Sequence, residues 1–239
     1  MLDPVSDLAR LDGVPSAVAS ALAAVDLVLR DRHDRGVDHD LVAASLVRAA
    51  RASAGLTGEP DRWLPGVLRL YTELAALSAL IRVAPGQALA RAHSLAARDL
   101  VSAEELGWLR SEPGVAARMV ALEQLLTGRT TASAVLLGAV AHAEIAVVGP
   151  FGTGDGVVAR AVEHMVLISA GVDPYGVISC EAGHLARRDA YAAALRAYRD
   201  GGAEGVRGWL LHCAAALADA AALVRGLPGS APDSDLAST

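Results

Sequence analysis

Lysine and asparagine are absent from this chain of 239 residues, and phenylalanine occurs once. All 21 basic residues are therefore arginine, and they are scattered along the chain. Aromatics make up only 3%, so there are few rings for bases to stack on, and the net charge is −6. Together these features exclude a dedicated nucleic-acid binder. The only two cysteines, Cys180 and Cys213, lack the spacing of a metal motif. They read as reduced, buried thiols of a cytoplasmic protein, without a disulfide or a metal. Met1-Leu2-Asp3-Pro4-Val5 has no basic or apolar leader region, so no signal peptide is expected. The longest apolar run, 132–148, is short for a membrane span and carries His142 and Glu144.

What is present is apolar and helical. Hydrophobic residues make up 53%, enough for a substantial core. Nearly every segment has a helical period and none alternates like a strand, so the expected class is all-α. Predicted helices span 14–30, ended by the polar run 31–36, then 38 or 40 to 54, 64–83 and 85–98. A short helix follows the capping box Ser102-Ala103-Glu104-Glu105, and others span 113–128, 131–148, 155–171, 183–199 and 204–225. The helix over 131–148 is apolar nearly all round and is placed at the centre of the core. The expected division is N-terminal helices over 1–60, a helical core over 61–226 and a disordered tail over 227–239.

Between two of these helices lies Val148-Gly149-Pro150-Phe151-Gly152-Thr153-Gly154-Asp155-Gly156-Val157-Val158-Ala159-Arg160. Gly152, Gly154 and Gly156 admit positive φ and a close approach to the backbone. The loop runs straight into a helix, whose free N–H groups and dipole suit an anion. A tight corner with Asp155 as N-cap is the other reading of the same residues.

This stretch resembles the signature of the Fic (Fido) family, H-P-F-x-[D/E]-G-N-G-R-x-x-R. The likeness extends to the helix before it (Ala141 to Val148), the helix after it, Asp189-Ala190-Tyr191 and Trp209. Ser53-Ala54-Gly55-Leu56-Thr57-Gly58 resembles the family's inhibitory segment [S/T]-x-x-x-E-[G/N]. The resemblance implies a Fic-like helical domain with an N-terminal helical extension and a site that moves AMP from ATP to a hydroxyl.

The departures are chemical. Gly149 stands where the family has its general-base His, a group worth about 10²–10⁴ in rate. Thr153 replaces the acid that holds Mg²⁺, a hard cation that prefers carboxylates, so Mg²⁺ is not expected. Asp155 replaces Asn and puts a negative charge where phosphate is expected. Val157 replaces the first Arg. Pro150, Phe151, Gly152, Gly154, Gly156 and the second Arg, Arg160, remain. Thr57 takes the place of the inhibitory Glu that would pair with Arg160, leaving Ser53, Thr57 and Gly58 as a remnant. Leu106-Gly107-Trp108-Leu109-Arg110 resembles the start of the family's β-hairpin flap but runs into Pro113, so the hairpin is reduced or absent.

Other groups are candidate substitutes. Asp155 and His142 are candidate bases; a satisfied core histidine is the plainer reading of His142. Glu144 and Glu163 are candidate carboxylates near the loop, with an i,i+3 pair between Arg160 and Glu163 as the alternative. Glu181 and His184 read as a helix start and a solvated residue, and Arg187-Arg188-Asp189 as an outer face. The expectation is a pseudoenzyme of bacterial type that keeps an anion- or nucleotide-loop scaffold for binding or regulation. A repurposed nucleotidyl- or phosphoryl-transferase and an oligomeric interaction protein are the alternatives. The expected ligand is a nucleotide or phosphate, or another small phosphorylated molecule, or a protein partner; no nucleic acid or membrane is expected, and a homo-oligomer fits.

Overall fold

The computed structural model describes residues 4–35 and 39–226. The tail over 227–239 and the cap candidate Asp38 lie outside the described residues. Among the described residues the secondary structure is helical, with no strand. The helices are α1 (Pro4–Leu8), α2 (Val14–Arg35), α3 (His39–Gly55), α4 (Pro60–Thr72), α5 (Leu74–Ile81), α6 (Pro85–Ala97), α7 (Val115–Thr127), α8 (Ala134–Val148), α9 (Asp155–Ser169), α10 (Cys180–Ala186), α11 (Arg188–Asp200) and α12 (Ala203–Arg225).

α8 and α9 form the centre. In α8 every residue from Val135 to Ala143 is buried, which is why its composition is apolar all round. In α9 every residue from Val157 to Leu167 is buried, including Arg160, Glu163 and His164. A helix enclosed on all sides carries polar residues only where partners await them. α5, α6, α7, α11 and α12 pack around this pair, while α3 lies on α4 and α10, and α2 on α12.

Four helical expectations are corrected. The span 64–83 is two helices, α4 and α5, bent by 63°. Thr72 Oγ1 donates back to Arg69 O, and Arg91 holds the Glu73 carboxylate, so the chain turns at Glu73. Buried Leu70 and Tyr71 then serve α4, and buried Leu74 and Leu77 serve α5. The capping box at Ser102 forms its hydrogen bonds to Glu105, but only turns follow. Gly107, at φ +79°, ends them. The span 183–199 is also two helices. α10 starts at Cys180, and the chain breaks at Arg187, whose Nε is held by Asp219. Finally, α2 runs through the polar run to Arg35, beyond the predicted stop at Arg30.

Gly183 explains how α10 reaches the core. A Cβ there would lie 1.8 Å from Ala216 O, so only glycine lets α10 lie against α12. That crossing carries Cys180, Glu181 and His184 inward, all 0% exposed. The helix start read at Glu181 lies in the first turn of α10, while the solvated placement expected for His184 is overturned. Arg187, Arg188 and Asp189, one turn later, are exposed.

α12 is long and apolar enough to cross a bilayer, and half of its most apolar stretch is buried in the fold. Trp209, in its first half, is fully buried and donates from Nε1 to Ala139 O.

Candidate functional site

The glycine loop begins as a helix cap. Gly149 closes α8 in the left-handed region at φ +59°, its N–H returning to Ile145 O. A residue with a Cβ adopts that conformation at a cost of roughly 1–2 kcal/mol. The position that holds the base in the resembling family is thus used here for backbone geometry.

The loop's amides face a carboxylate of their own chain. Asp155 Oδ1 accepts from Phe151 N at 2.7 Å, and the Gly152 amide also reaches this carboxylate. Gly154, not Asp155, is the N-cap of α9, at φ +74°. Asp155 is the first residue of α9, and its side chain folds back over the loop. This corrects the expected N-cap role. Burial raises the Asp155 pKa from its ordinary value, against the amides of Phe151 and Gly152 and the nearby Arg110, which favour the charged form.

Three side chains seal the outside. Arg110 Nε donates to Gly149 O at 2.6 Å and Nη2 to Val148 O at 3.1 Å, while its backbone N donates to Pro150 O at 2.8 Å. The expected flap segment therefore persists as a strap across the motif, without a hairpin. Trp63 covers Gly154, where a Cβ would meet its ring at 2.8 Å. His93 stacks on Phe151 with centroids 4.3 Å apart and ring planes within 4°. Its Nδ1 accepts from Gly107 N, so Nε2 carries the proton and donates to Thr153 O at 3.1 Å. Burial lowers the His93 pKa, consistent with this neutral tautomer.

Arg160 points away from the loop amides into the core. It is 2% exposed, with Nε on Ser53 Oγ at 3.0 Å, Nη2 on Ser53 O at 2.9 Å and Nη1 on Tyr191 OH at 3.2 Å. The inhibitory-segment remnant does meet the second motif Arg, through Ser53 and not through Thr57. Thr57 Oγ1 instead donates to Ala54 O at the end of α3 and accepts from Glu59 N, and Gly58 beyond it is an open turn at φ +85°.

The substitute groups are placed elsewhere. His142 is fully buried, between Glu163 Oε2 at 2.5 Å and Tyr191 OH at 2.9 Å. Burial, the largest influence, lowers its pKa to about 4 against the opposing pull of Glu163. Glu163 also accepts from His184 Nε2 at 2.9 Å. Burial tends to raise the Glu163 pKa, but His184 and His142 hold it well below the carboxylate range. The expected Arg160–Glu163 pair is therefore replaced by a carboxylate between two imidazoles. Glu144 is bound by Arg118 at 2.6 Å and by Tyr198 OH at 2.8 Å, and is not brought to the loop.

These contacts make one buried chain, Arg160–Tyr191–His142–Glu163–His184–His212, whose last link is 3.1 Å long. Its tautomers are mutually consistent. Arg160 donates to Tyr191, Tyr191 to His142, both His142 and His184 to Glu163, and His212 to His184. Sequence reasoning placed His184 in solvent and did not single out His212. Their signal was local, one histidine on each of two apolar helices, and only the α10–α12 crossing joins them. Away from the loop, α3, α10 and α12 enclose an apolar groove of about 770 Å³, with Arg48 and Arg51 along it.

The arrangement of the described helices, with this loop–helix unit, is that of a Fic-like all-α fold. The structure is similar to that of a Fic family protein from Desulfovibrio desulfuricans G20, with a TM-score of 0.67 and 17% identity over 87% of this chain and 73% of that one. At this identity the likeness is one of fold. No protein-family model matches the sequence, and no curated protein does.

Proposed function

We propose that this Fic-fold protein does not transfer nucleotides, and that its motif works as a self-closed structural corner in a protein that acts by binding. The observation that carries this reading is the Asp155 carboxylate on the amide of Phe151, beside the Gly152 amide, which is itself bonded to Gly149 O. A fixed anion occupies the donors that a phosphate would need. Gly149 supplies no base, Thr153 offers its carbonyl to His93, and Arg160 is committed to Ser53 and Tyr191. The free, buried thiols of Cys180 and Cys213 support a reducing, cytoplasmic setting. The partner class remains a protein or a small phosphorylated molecule, and self-association fits an interaction role. The test is incubation with labelled ATP, GTP, CTP and UTP, Mg²⁺ and lysate. No label should be transferred, and robust labelling overturns the reading.

A repurposed transferase is the second reading, and one observation favours it. Of the candidate bases, Asp155 lies at the loop, and burial raises its pKa above the ordinary carboxylate value. Loss of a discovered activity in Asp155→Ala, with the fold retained, would support it.

A further inference from the structure

Two groups of buried metal-type side chains lie outside the loop. In each, three residues offer ligand atoms within 4.8 Å of one another: His142, Glu163 and His184 in one, His164, Cys180 and Glu181 in the other. The first group is complete without an ion. Both imidazoles donate to Glu163, and each is backed by a further partner, Tyr191 or His212. A dication there would also add to the positive charge of Arg160, which already bears on His142.

The second group is incomplete. His164 Nδ1 meets Glu181 Oε1 at 3.0 Å, and Tyr71 OH donates to the same oxygen at 2.6 Å. Yet His164 Nε2 and Glu181 Oε2 have no partner, although both residues are 0% exposed. Unpaired buried polar atoms cost about 1–3 kcal/mol each, so two in one cluster call for an explanation. Cys180 Sγ lies beside them, itself 0% exposed, on the first turn of α10.

We infer that His164, Cys180 and Glu181 form a binding site for a divalent cation of the zinc type. Thiolate and imidazole select such an ion over Mg²⁺ or Ca²⁺. The charges balance. A dication held by a neutral His164 imidazole, the Cys180 thiolate and the Glu181 carboxylate is neutralised by its two anionic ligands, and the thiol proton leaves on binding. Tetrahedral bonds of about 2.0–2.3 Å place ligand atoms roughly 3.3–3.8 Å apart, so the present ligand atoms, within 4.8 Å of one another, need to close by at most about 1.5 Å. Tyr71 supplies the outer hydrogen bond that orients the carboxylate. The ion would tie α9 to α10, with Tyr71 of α4 alongside, and binding would be coupled to folding because every ligand is enclosed.

The test is to refold the full chain with one equivalent of Co²⁺, then displace it with Zn²⁺. The expected result is about one ion per chain, a higher melting temperature and a thiolate-to-cobalt charge-transfer band. The band should persist in Cys213→Ser and vanish in a Cys180→Ser protein of unchanged circular dichroism. Because the chain has only two cysteines, wild type and Cys213→Ser decide the matter even if Cys180→Ser does not fold. Absence of the band in wild type overturns the inference. So does a band that survives Cys180→Ser or is lost in Cys213→Ser.

Discussion

The carboxylate of Asp155 accepts from the backbone nitrogen of Phe151 at 2.7 Å, across the loop it belongs to. An aspartate at the start of a helix ordinarily favours the helix dipole. Here it also sits on the loop amides, and on the function proposed above this leaves no place for an outside anion. Asp155→Ala should free those amides. Thermal-shift titration with inorganic phosphate should show stabilisation in the variant and little in wild type. Without ligand, the variant should be about 1–3 kcal/mol less stable by denaturant melts, from the lost charge-assisted hydrogen bonds.

Gly149→His should not produce nucleotide transfer. The new side chain would sit on a left-handed residue, beside Asp155 Oδ2 and Arg110 Nη2 at about van der Waals range of its Cβ. Stability should fall by roughly 1–2 kcal/mol. Labelling with ATP and Mg²⁺ checks the activity, and activity in this variant would show that the seal around the loop is not limiting.

The fold should be least tolerant at Gly183. Gly183→Ala places a carbon 1.8 Å from Ala216 O, so α10 must leave α12. A loss of roughly 3–5 kcal/mol, or failure to fold, is expected in urea titrations. Gly58→Ala is the milder control, strained by φ +85° but with nothing within 4 Å of the added carbon.

Acid should destabilise the buried histidine chain. His142 titrates at about 4 in the fold, against 6.5 for the ordinary side chain. Below pH 6.5 the unfolded chain binds the proton that the folded chain refuses. The contribution of His142 is therefore intact above about pH 6.5, is lost as pH falls toward 4, and is absent below that. For this fully buried group it amounts to roughly 3 kcal/mol. His212 is lowered to about 4 by burial and by His184, and adds in the same direction. Melting temperatures between pH 4.5 and 7 should show this slope, and His142→Gln should flatten it.

Arg160→Met should cost about 2–4 kcal/mol, because it leaves the buried Ser53 Oγ, Ser53 O and Tyr191 OH acceptors without their donor. Ser53→Ala should cost about 1–2 kcal/mol. Urea titration of both separates a structural Arg160 from one kept for a ligand.

The sequence by itself determined the all-α class, the central place of the helix expected over 131–148 and the departures of Gly149, Thr153, Asp155 and Val157 from the signature that the loop resembles. Those features are local: helical period, apolar content and residue chemistry are properties of neighbours along the chain. The role of Gly149 as a left-handed cap was also implicit in its residue type. Tertiary structure alone decided what fills the loop and what the buried charges meet. Arg110 reaches Gly149 from 39 residues away, Arg160 reaches Ser53 across 107, and Tyr71 reaches Glu181 across 110. Glu163 takes His142 and His184 instead of the neighbour that helical spacing offered, because α9 is enclosed on all sides and its polar groups pair with whichever helix lies against them. No local pattern encodes such pairings; they follow from how helices cross, which a one-residue glycine such as Gly183 controls.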